Sequence, residues 1–208
     1  VLAVRDKIRS LDGTPSITIY TNREVTDNAN GNGLPKLSSE LVVYAPSIQQ
    51  SVLANAIHDV IAVTARLSSG HNGTSQSYTV TDSVLNDDRL IEWSSPNETN
   101  LVIEIDVVSE DGYPGEERVR QEIASYVGGT MPDGSSIAGL DVGQDVIVDE
   151  IERRINNLTG TVGVASVTID ATGDGSDNTT SRPDGLRAYE VGSDEVALVD
   201  ATSDITVN

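Results

Sequence analysis

Leu101–Val108 has the sequence Leu-Val-Ile-Glu-Ile-Asp-Val-Val, in which apolar and acidic side chains alternate from Ile103 to Val107. This alternation is typical of a β-strand with one face in a core and the other in water. A turn containing Pro and Gly follows at Asp111–Gly115, and apolar residues then recur at helical spacing over 116–127. A strand–helix order also occurs earlier in the chain, and each copy is followed by more strands. This order predicts an α+β fold rather than a doubly wound α/β fold.

A short internal repeat links the two ends of the chain. Ser16–Ile19 (Ser-Ile-Thr-Ile) matches Ser166–Ile169 (Ser-Val-Thr-Ile), and a helical pattern precedes each segment. The matched apolar positions of the two helices are Val4, Ile8 and Leu11 in the first copy and Ile151, Ile155 and Leu158 in the second. Each copy predicts a helix, a glycine turn and a strand, and the first copy lacks the beginning of its module. We therefore expect a fragment or a processed product of a longer protein.

The order of elements predicts tandem small modules of strand–helix–β type with mixed or antiparallel sheets. Residues 1–37 are predicted to be the C-terminal remainder of a preceding module plus a linker, because 22–37 is polar and Gly-rich. Residues 38–98 are predicted to form a first α+β module, and residues 99–208 a second, C-terminal one.

Within the first module, a strand over 40–45 is predicted to lead into a helix that Ser47 caps and that ends near Leu67. Two more strands are predicted at 77–85 and 89–94. The remaining elements predicted for the second module are a loop over 130–143, a helix over 144–158, strands over 164–170, 186–191, 195–199 and 204–207, and a polar loop over 171–185.

The charge balance of the chain is extreme. The 208 residues include 33 Asp and Glu but 13 Lys and Arg, for a formal net charge of -20, and only Lys7 and Lys36 are lysines. Self-repulsion of this size loosens a compact fold at low ionic strength, whereas a Debye length of about 3 Å in 1 M salt screens it. The acidic excess, the scarce lysine and the small apolar residues together predict a protein from a halophilic host. The alternative is an ordinary acidic protein, in which so little lysine is unusual.

The composition also argues against several classes of function. Phosphate binding needs clustered Lys and Arg, which the chain lacks, so we expect no nucleic-acid partner. No apolar run approaches the roughly 20 residues of a transmembrane helix, so we expect no membrane span. Because the chain contains no cysteine, disulfides, thiolate metal sites and cysteine nucleophiles are excluded.

The chemistry-bearing residues form no recognisable catalytic pattern. His58 lies on the predicted long helix, where we interpret it as a partly exposed helix residue, and His71 lies in a Gly-rich turn, far in sequence from any convincing partner. The Gly-x-Ser-x-Gly, phosphate-loop and His-Glu-x-x-His motifs do not occur. Trp93 and six tyrosines are few for the aromatic lining of a sugar site. We therefore predict that the protein is not an enzyme, with no catalytic, cofactor-binding or metal-binding residue to name.

Two further features leave alternatives open. The loop Asp170–Asn178 offers the oxygen ligands that Ca²⁺ prefers, but not the spacing of a calcium loop, so a solvated acidic loop is favoured over a bound cation. Asn-x-Thr sequons at Asn72, Asn97, Asn157 and Asn178 would accept glycans if the protein met the enzymes, although Asn and Thr are frequent enough for a chance occurrence.

A series of short segments follows the order of one known family. The segments are a helix, glycine turn and strand over 4–23, a loop over 33–35, a strand over 38–44, a helix over 54–57, a helix start over 139–146, a Gly-Val-x-x-Val strand over 163–167, and a closing hairpin over 194–199 and 204–207. Together they resemble the baseplate J-like family, whose members are wedge proteins of contractile tails. Thr14-Pro15 departs from the family pattern, which usually has Val there.

The resemblance implies a structural role in a tail baseplate, in either a halophilic archaeal virus or a phage-tail-like injection system. Such proteins form part of a ring around the tail hub, bridge neighbouring wedges and relay host contact to sheath contraction. The implied partners are other baseplate and tail proteins, with homo-oligomeric contacts in a six-fold ring. The implied location is the virion tail baseplate, assembled in the host cytoplasm.

Two other classes of function compete with this interpretation. An extracellular adhesin or surface-layer module of a halophilic archaeon fits the sequons and the acidic loops, and glycans on Asn72 or Asn178 would favour it. An acidic hydrolase would show activity in high salt that His58→Ala and His71→Ala abolish, and we expect no such activity.

The charge balance generates a first prediction. Dialysis from molar salt to about 10 mM salt should unfold the protein, because the repulsion among its carboxylates is no longer screened. Far-ultraviolet circular dichroism measures the loss of secondary structure. A spectrum that stays the same at both salt concentrations would contradict halophilic adaptation.

Overall fold

The structure, a computed structural model, describes residues 2–12, 15–28, 33–61, 66–82 and 86–208. In these ranges, four helices accompany many short strands in mixed and antiparallel sheets. The predicted α+β class is therefore confirmed.

The helices are α1 (Leu2–Arg9), α2 (Gln50–Val60), α3 (Glu116–Val127) and α4 (Val148–Asn156). The first strands are β1 (Ser16–Asn22), β2 (Ser38–Tyr44), β3 (Leu67–Ser68), β4 (Thr74–Asp82), β5 (Asp87–Ser95), β6 (Asn97–Asn100) and β7 (Val102–Ser109). The later strands are β8 (Gly128–Thr130), β9 (Ser136–Ala138), β10 (Val146–Ile147), β11 (Thr161–Asp170), β12 (Thr180–Ser181), β13 (Arg187–Tyr189), β14 (Glu195–Asp200) and β15 (Ile205–Val207).

The chain divides into two compact units. The first contains the described residues of Val1–Asn97 together with Ser193–Glu195, and the second contains Glu98–Gly192 and Val196–Asn208. This division differs from the predicted one, in which residues 1–37 were the C-terminal remainder of a preceding module plus a linker. Its strand β1 pairs with β2 along its whole length, and its helix α1 packs against α2. The described residues of this segment are therefore part of the first unit rather than the end of a separate one.

The first unit is built on one five-stranded mixed sheet. Its strand order is β1-β2-β5-β4, with β3 also beside β2. The β1–β2 and β4–β5 pairs are antiparallel, whereas β2 runs parallel to β3 and to β5. Helices α1 and α2 cover the apolar face, and the core consists of Val4, Ile8, Ile17, Leu41, Val43, Leu53, Ala54, Ile57, Val80, Ile91 and Trp93.

The second unit contains helices α3 and α4 and three small sheets, with strand orders β11-β7-β15, β6-β14-β8-β9 and β10-β13-β12. Strand β7 matches the expectation for Leu101–Val108: Ile103 and Ile105 are fully buried, whereas Glu104 is exposed. It is antiparallel to β11 and parallel to β15. The inward residues of these three strands pack against α3 and α4 in one core.

The beginning of α2 differs from the prediction. Gln49 is the N-cap and makes no side-chain cap hydrogen bond, so the prediction that Ser47 caps the helix is wrong. The backbone N–H of Ile48 donates to the carbonyl of Ala45, which holds the preceding residues in a turn. Ile48 also packs against the core, so tertiary packing outweighs the capping pattern in the sequence.

The end of α2 differs as well. The helix ends at Val60, and Leu67, its predicted last residue, instead lies in β3 and pairs with Ser39 of β2. Residues 62–65 of the predicted helix lie outside the described residues. So do residues 83–85, the predicted end of the strand that the structure describes as β4.

Helix α4 begins later than its apolar pattern predicts. In the predicted helix over 144–158, Val146 and Ile147 instead form β10 and pair with β13. The backbone N–H of Ile147 donates to the Tyr126 hydroxyl at 3.0 Å. Backbone groups that a first helical turn would use are therefore bound to other elements.

The two copies of the internal repeat fold alike. Each has a helix followed by a strand, α1 before β1 and α4 before β11, and the helix positions Ile8 and Ile155 are fully buried. The closing hairpin implied by the resemblance does not form, because β14 pairs with β8 and β15 with β7, both parallel. The backbone N–H of Ala201 donates to the carbonyl of Thr130 between the two strands, which directs them into different sheets.

Gly129 permits the close approach of β8 to β14. Its φ is +120°, and a Cβ there would collide with the carbonyl oxygen of Val199. We predict that Gly129→Ala lowers the free energy of unfolding by roughly 2 kcal/mol or more, because it adds both backbone strain and overlap. Gly163→Ala is the control, because Gly163 has open space around it and no positive φ. Urea unfolding in molar salt that shows equal stability for both variants would contradict this role.

Candidate functional site

A buried polar cluster of the first unit is built around Glu40 in β2. The Glu40 side chain is fully buried. Its Oε1 accepts hydrogen bonds from the backbone N–H groups of His71 (3.0 Å) and Asn72 (3.1 Å) and from Ser94 Oγ (2.5 Å). Its Oε2 accepts one from the Asn72 side-chain amide at 2.6 Å. Four donors therefore satisfy this carboxylate, and none of them is a cation.

The turn before β4 supplies most of these donors. Leu41 and Val43 of β2 face the apolar core, so Glu40 lies on the other face of the sheet. The turn lies against this second face, where the backbone N–H of Gly70 donates to Ser94 Oγ at 2.8 Å. Gly73 has a φ of +136°, and a Cβ there would collide with the backbone of β5. Glycine thus lets the turn lie close enough for its N–H groups to reach the carboxylate.

The hydrogen bonds keep Glu40 ionised. Burial by itself raises the pKa of a carboxyl group. The hydrogen bonds from Ser94, Asn72 and the two backbone N–H groups outweigh this effect, and the pKa of Glu40 lies below its usual range. A carboxylate that binds both backbone and side-chain donors of one turn serves as an anchor for that turn.

Aspartates close many of the exposed turns in the second unit. In each case a side-chain oxygen accepts a hydrogen bond from the backbone N–H two residues further along the chain, the Asx-turn geometry. The pairs are Asp133–Ser135, Asp170–Thr172, Asp174–Ser176, Asp177–Thr179, Asp184–Leu186 and Asp200–Thr202. Hydrogen bonds, first from the neighbouring hydroxyl groups and then from the backbone, hold the pKa values of Asp133, Asp174 and Asp200 below their usual range.

The loop Asp170–Asn178, the candidate cation site, has a framework of such bonds. Asp170 is buried, and its Oδ1 accepts hydrogen bonds from the backbone N–H groups of Thr172 (2.7 Å) and Gly173 (2.8 Å). Its Oδ2 accepts one from Gly175 at 2.6 Å, which is the main reason why the pKa of Asp170 is lowered. Backbone N–H groups therefore already bind the two carboxylate oxygens that a cation would need as ligands. Within the described ranges, no group of three or more His, Cys, Asp or Glu side chains could hold a metal ion.

The two histidines lie at different places in the first unit. His58 is on α2, with its Nε2 4.0 Å from a carboxylate oxygen of Asp82 at the end of β4. His71 lies in the turn over the sheet and contributes its backbone N–H to the Glu40 cluster.

An open depression of about 530 Å³ lies in the second unit. Tyr126 lines it, and the guanidinium of Arg154 lies 4.9 Å from the centre of the Tyr126 ring. Arg154 Nε also donates to Glu150 Oε1 at 2.8 Å. Hydrogen bonds from Arg153, and then from Arg154, lower the pKa of Glu150 to about 2 although partial burial opposes the shift. The charged groups of this depression are thus paired with each other.

The sequons differ in whether a glycosylation enzyme could reach them. Asn72 is only 7% exposed, and its side-chain nitrogen donates to Glu40. A glycan there would require the Glu40 cluster to open, which removes Asn72 as a signature of the adhesin alternative. Asn178 is half-buried and accepts a hydrogen bond from the backbone N–H of Ala171. Asn97 and Asn157 are exposed.

The outer edge of β11 is covered by polar groups of the following loop and strand. Arg187 Nη2 donates to the carbonyl of Val167 at 2.6 Å. Next to it, the backbone N–H of Ile169 donates to Asp177 at 3.4 Å, and the backbone N–H of Asn178 donates to the carbonyl of Ile169 at 2.8 Å. Side chains and loop backbone thus occupy hydrogen-bonding groups that an added strand would need.

The edge of β4 is different. Among the described strands it pairs with β5 alone, and it is an outer strand of its sheet. Most of its nine side chains are exposed, and Val80 is the one that is buried. No residue of Thr74–Thr81 carries a charge, although charged residues commonly protect such edges. We call Thr74–Asp82 the open β4 edge, and it is the candidate interaction site of the first unit.

The comparisons with known proteins add no family to this description: no family model matches the chain, and a search of curated proteins finds no match. Of the helices in the described ranges, none combines the length and apolar character needed to cross a membrane.

Neither Glu40 nor the open β4 edge was predicted from the sequence. Glu40 is the single acidic residue of the predicted strand over 40–45 and stands at its start, a position typical of an exposed side chain. Its partners Asn72 and Ser94 are 32 and 54 residues away. The uncharged run over Thr74–Thr81 was not a distinctive signal, because longer uncharged runs also span residues 41–57 and 155–169.

The Glu40 cluster generates a prediction. Glu40→Gln should lower the free energy of unfolding by roughly 1–3 kcal/mol near neutral pH, because the amide group offers one acceptor oxygen in place of two. The pKa of Glu40 is lowered in the folded state, so its contribution is present above about pH 4.5 and is lost as the pH falls through the folded-state value. The difference in stability between the parent and the variant should therefore shrink in acid, as measured by chemical unfolding at several pH values.

Glu98→Gln is the matched control, because Glu98 is exposed. We expect it to change the stability by less than about 0.5 kcal/mol. A loss for Glu40→Gln that is equally small, or that does not change with pH, would show that the carboxylate is not the anchor of the turn.

Proposed function

We propose that the chain is a structural component of a contractile-tail baseplate, where it acts in protein–protein assembly and in relay of the contraction signal. The observation that carries the assembly role is the open β4 edge. The assignment to a contractile tail rests on the resemblance of sequence segments, such as 139–146 and 163–167, to the baseplate J-like family.

The open β4 edge supports assembly because a long exposed edge binds other strands through its backbone groups. Half of the N–H and C=O groups of an outer strand point away from its sheet and can pair with another chain. Asp177, Arg187 and neighbouring backbone cover such groups on β11. The same protection is not found on β4 in the described part of the chain, and a use in assembly accounts for the difference.

The polar clusters support a mechanical role. Glu40 accepts hydrogen bonds that hold the turn before β4 against the sheet. Asp170, at the end of β11, accepts hydrogen bonds from the backbone of the loop that follows it. Turns held by several hydrogen bonds lose little further freedom when a partner binds, so less of the binding free energy is lost to ordering. Rigid units also transmit a displacement from one contact to another better than flexible ones.

The charge supports contacts that do not depend on long-range attraction. Each copy carries a formal charge of -20, so copies and acidic partners repel each other in dilute salt. In molar salt this repulsion is screened, and backbone hydrogen bonds and apolar burial decide which surfaces associate. A ring of acidic subunits in a halophilic host would be assembled in this way.

Electron microscopy tests the proposal directly. A gold-labelled antibody against the purified chain is applied to particles from the culture that produces the protein, in molar salt. We expect label at one end of contractile tails, with six-fold symmetry in end views of the labelled structure. The same antibody saturated beforehand with the purified chain is the control and should leave the particles unlabelled.

Label on the cell surface, without any tail-like particle, would contradict the proposal and favour an adhesin or surface-layer module. Label at a tail-like particle anchored in a cell would retain the baseplate role and indicate an injection system rather than a virus.

A further inference from the structure

We propose that the open β4 edge pairs with the same edge of a second copy of this chain, antiparallel, about a two-fold axis at Tyr78. This proposal rests on the assembly role proposed above and names the partner of that surface. The resulting interface is isologous, so each copy contributes the same residues.

Exposure supports a strand partner at this edge. Tyr78 points to the same face of the sheet as its cross-strand neighbour Ile91, which is in the core. Tyr78 is nevertheless 39% exposed, although α2 contacts β4 on either side of it, where Gln50 Nε2 donates to Gln76 and His58 Nε2 lies 4.0 Å from Asp82. On the other face, Ser75, Ser77 and Thr79 are exposed. Both faces of the strand therefore leave room for a neighbour in the same sheet.

The distribution of charge favours an antiparallel over a parallel arrangement of the two copies. The open β4 edge is neutral except at Asp82, and the neighbouring hairpin end carries Asp87 and Asp88. A parallel pair would bring the two Asp82 carboxylates to about 5 Å. An antiparallel pair separates them by roughly 27 Å along the strands, well beyond the Debye length of about 8 Å at physiological salt. Two chains of charge -20 can thus meet with their acidic hairpin ends pointing apart.

The side chains of the strand are complementary to themselves in this register. With the axis at Tyr78, the two Tyr78 rings lie opposite each other, and Ser77 of each copy lies opposite Thr79 of the other. Aromatic pairs and Ser–Thr pairs are both favourable across antiparallel strands. At the ends, Asp82 lies opposite Thr74, which is uncharged.

The opposite edge of the same sheet, β1, is less suited to this role. Ser16, Ile17 and Asn22 of β1 are buried, whereas β4 has one buried residue. The Tyr20 side chain of β1 also donates a hydrogen bond to the carbonyl of Ser193. The outer strand β15 of the second unit has its Ile205 carbonyl bound by Arg120 Nε at 3.1 Å. The open β4 edge is therefore the better candidate for self-pairing.

Cysteine cross-linking tests the proposal, because the natural chain contains no cysteine and each introduced thiol is the single one. The full chain carrying Tyr78→Cys is treated with a mild oxidant in molar salt and run on a non-reducing gel. Opposed positions of antiparallel strands have Cβ atoms about 5 Å apart, close enough for a disulfide after small adjustments. We expect a covalent dimer to form at least on the order of ten-fold faster than in the controls.

The matched controls are Leu90→Cys on the neighbouring strand and Val162→Cys in the second unit, which are 56% and 62% exposed in the parent. A second test reads the register and uses only exposed positions. Ser77→Cys mixed with Thr79→Cys should form a mixed dimer faster than either variant alone forms its own. This pair keeps the proposal testable if circular dichroism shows that Tyr78→Cys does not fold.

Light scattering of the parent chain completes the test. Its dimer fraction should rise with salt, because screening reduces the repulsion between the copies.

Cross-linking of Tyr78→Cys and of the mixed pair no faster than in the controls would overturn the self-pairing. If the antibody still labelled tail ends, the assembly role would hold through another surface. Failure of both experiments would remove the proposed function as well.

Discussion

Backbone N–H groups that leave the strand ladders at turns need acceptors, and this protein supplies them with carboxylates. Asp170 binds three such groups with its two oxygens, and Glu40 binds two together with two side-chain donors. Leaving a buried donor or acceptor unpaired costs about 1–3 kcal/mol, so these bonds decide which turns are stable. The position of the turn before β4, and with it the start of the open β4 edge, depends on this interaction.

The same interaction gives the acidic composition a structural meaning beyond solubility in salt. In Asp133, Asp174 and Asp200, a side chain that is solvated at the surface also closes its own turn. Each of these bonds is favoured by the ionised form of the carboxyl group. The acidic excess therefore has two physical effects: it raises the repulsion between copies, and it stiffens the loops within each copy.

Because copies of this chain repel each other, a neutral surface indicates where two copies could associate. A chain of charge -20 can associate with itself most readily where few carboxylates face each other. The open β4 edge meets this condition, and β11 carries protection that β4 does not. An outer strand without such protection would be hard to explain for a monomer, since unprotected edges promote aggregation. The self-pairing proposed for this edge would cover it with a second copy of the chain.

The local elements of the fold were accessible from the sequence where one pattern was strong. Helix α3 has the bounds that its apolar spacing predicted, and β7 lies within one residue of Leu101–Val108. The start of α4 was predicted wrongly, because Tyr126 binds the backbone of Ile147 and a strand pair replaces the first turn. A periodic pattern shows which residues are apolar, but it does not show which backbone groups will form hydrogen bonds with a distant side chain.

By itself, the sequence determined the α+β class, the helix–strand repeat and the centres of α3 and β7, because each depends on residues that are close along the chain. It did not predict β9 and β12, which lie in the predicted loops over 130–143 and 171–185. Only the tertiary structure decided that Glu40 is buried, that the Asn72 side chain is buried against it and that β4 is an outer strand. Each of these depends on contacts between segments far apart in the chain, such as the 54 residues between Glu40 and Ser94. Local spacing carries no information about such contacts, since the same strand pattern serves equally well at the centre or at the edge of a sheet.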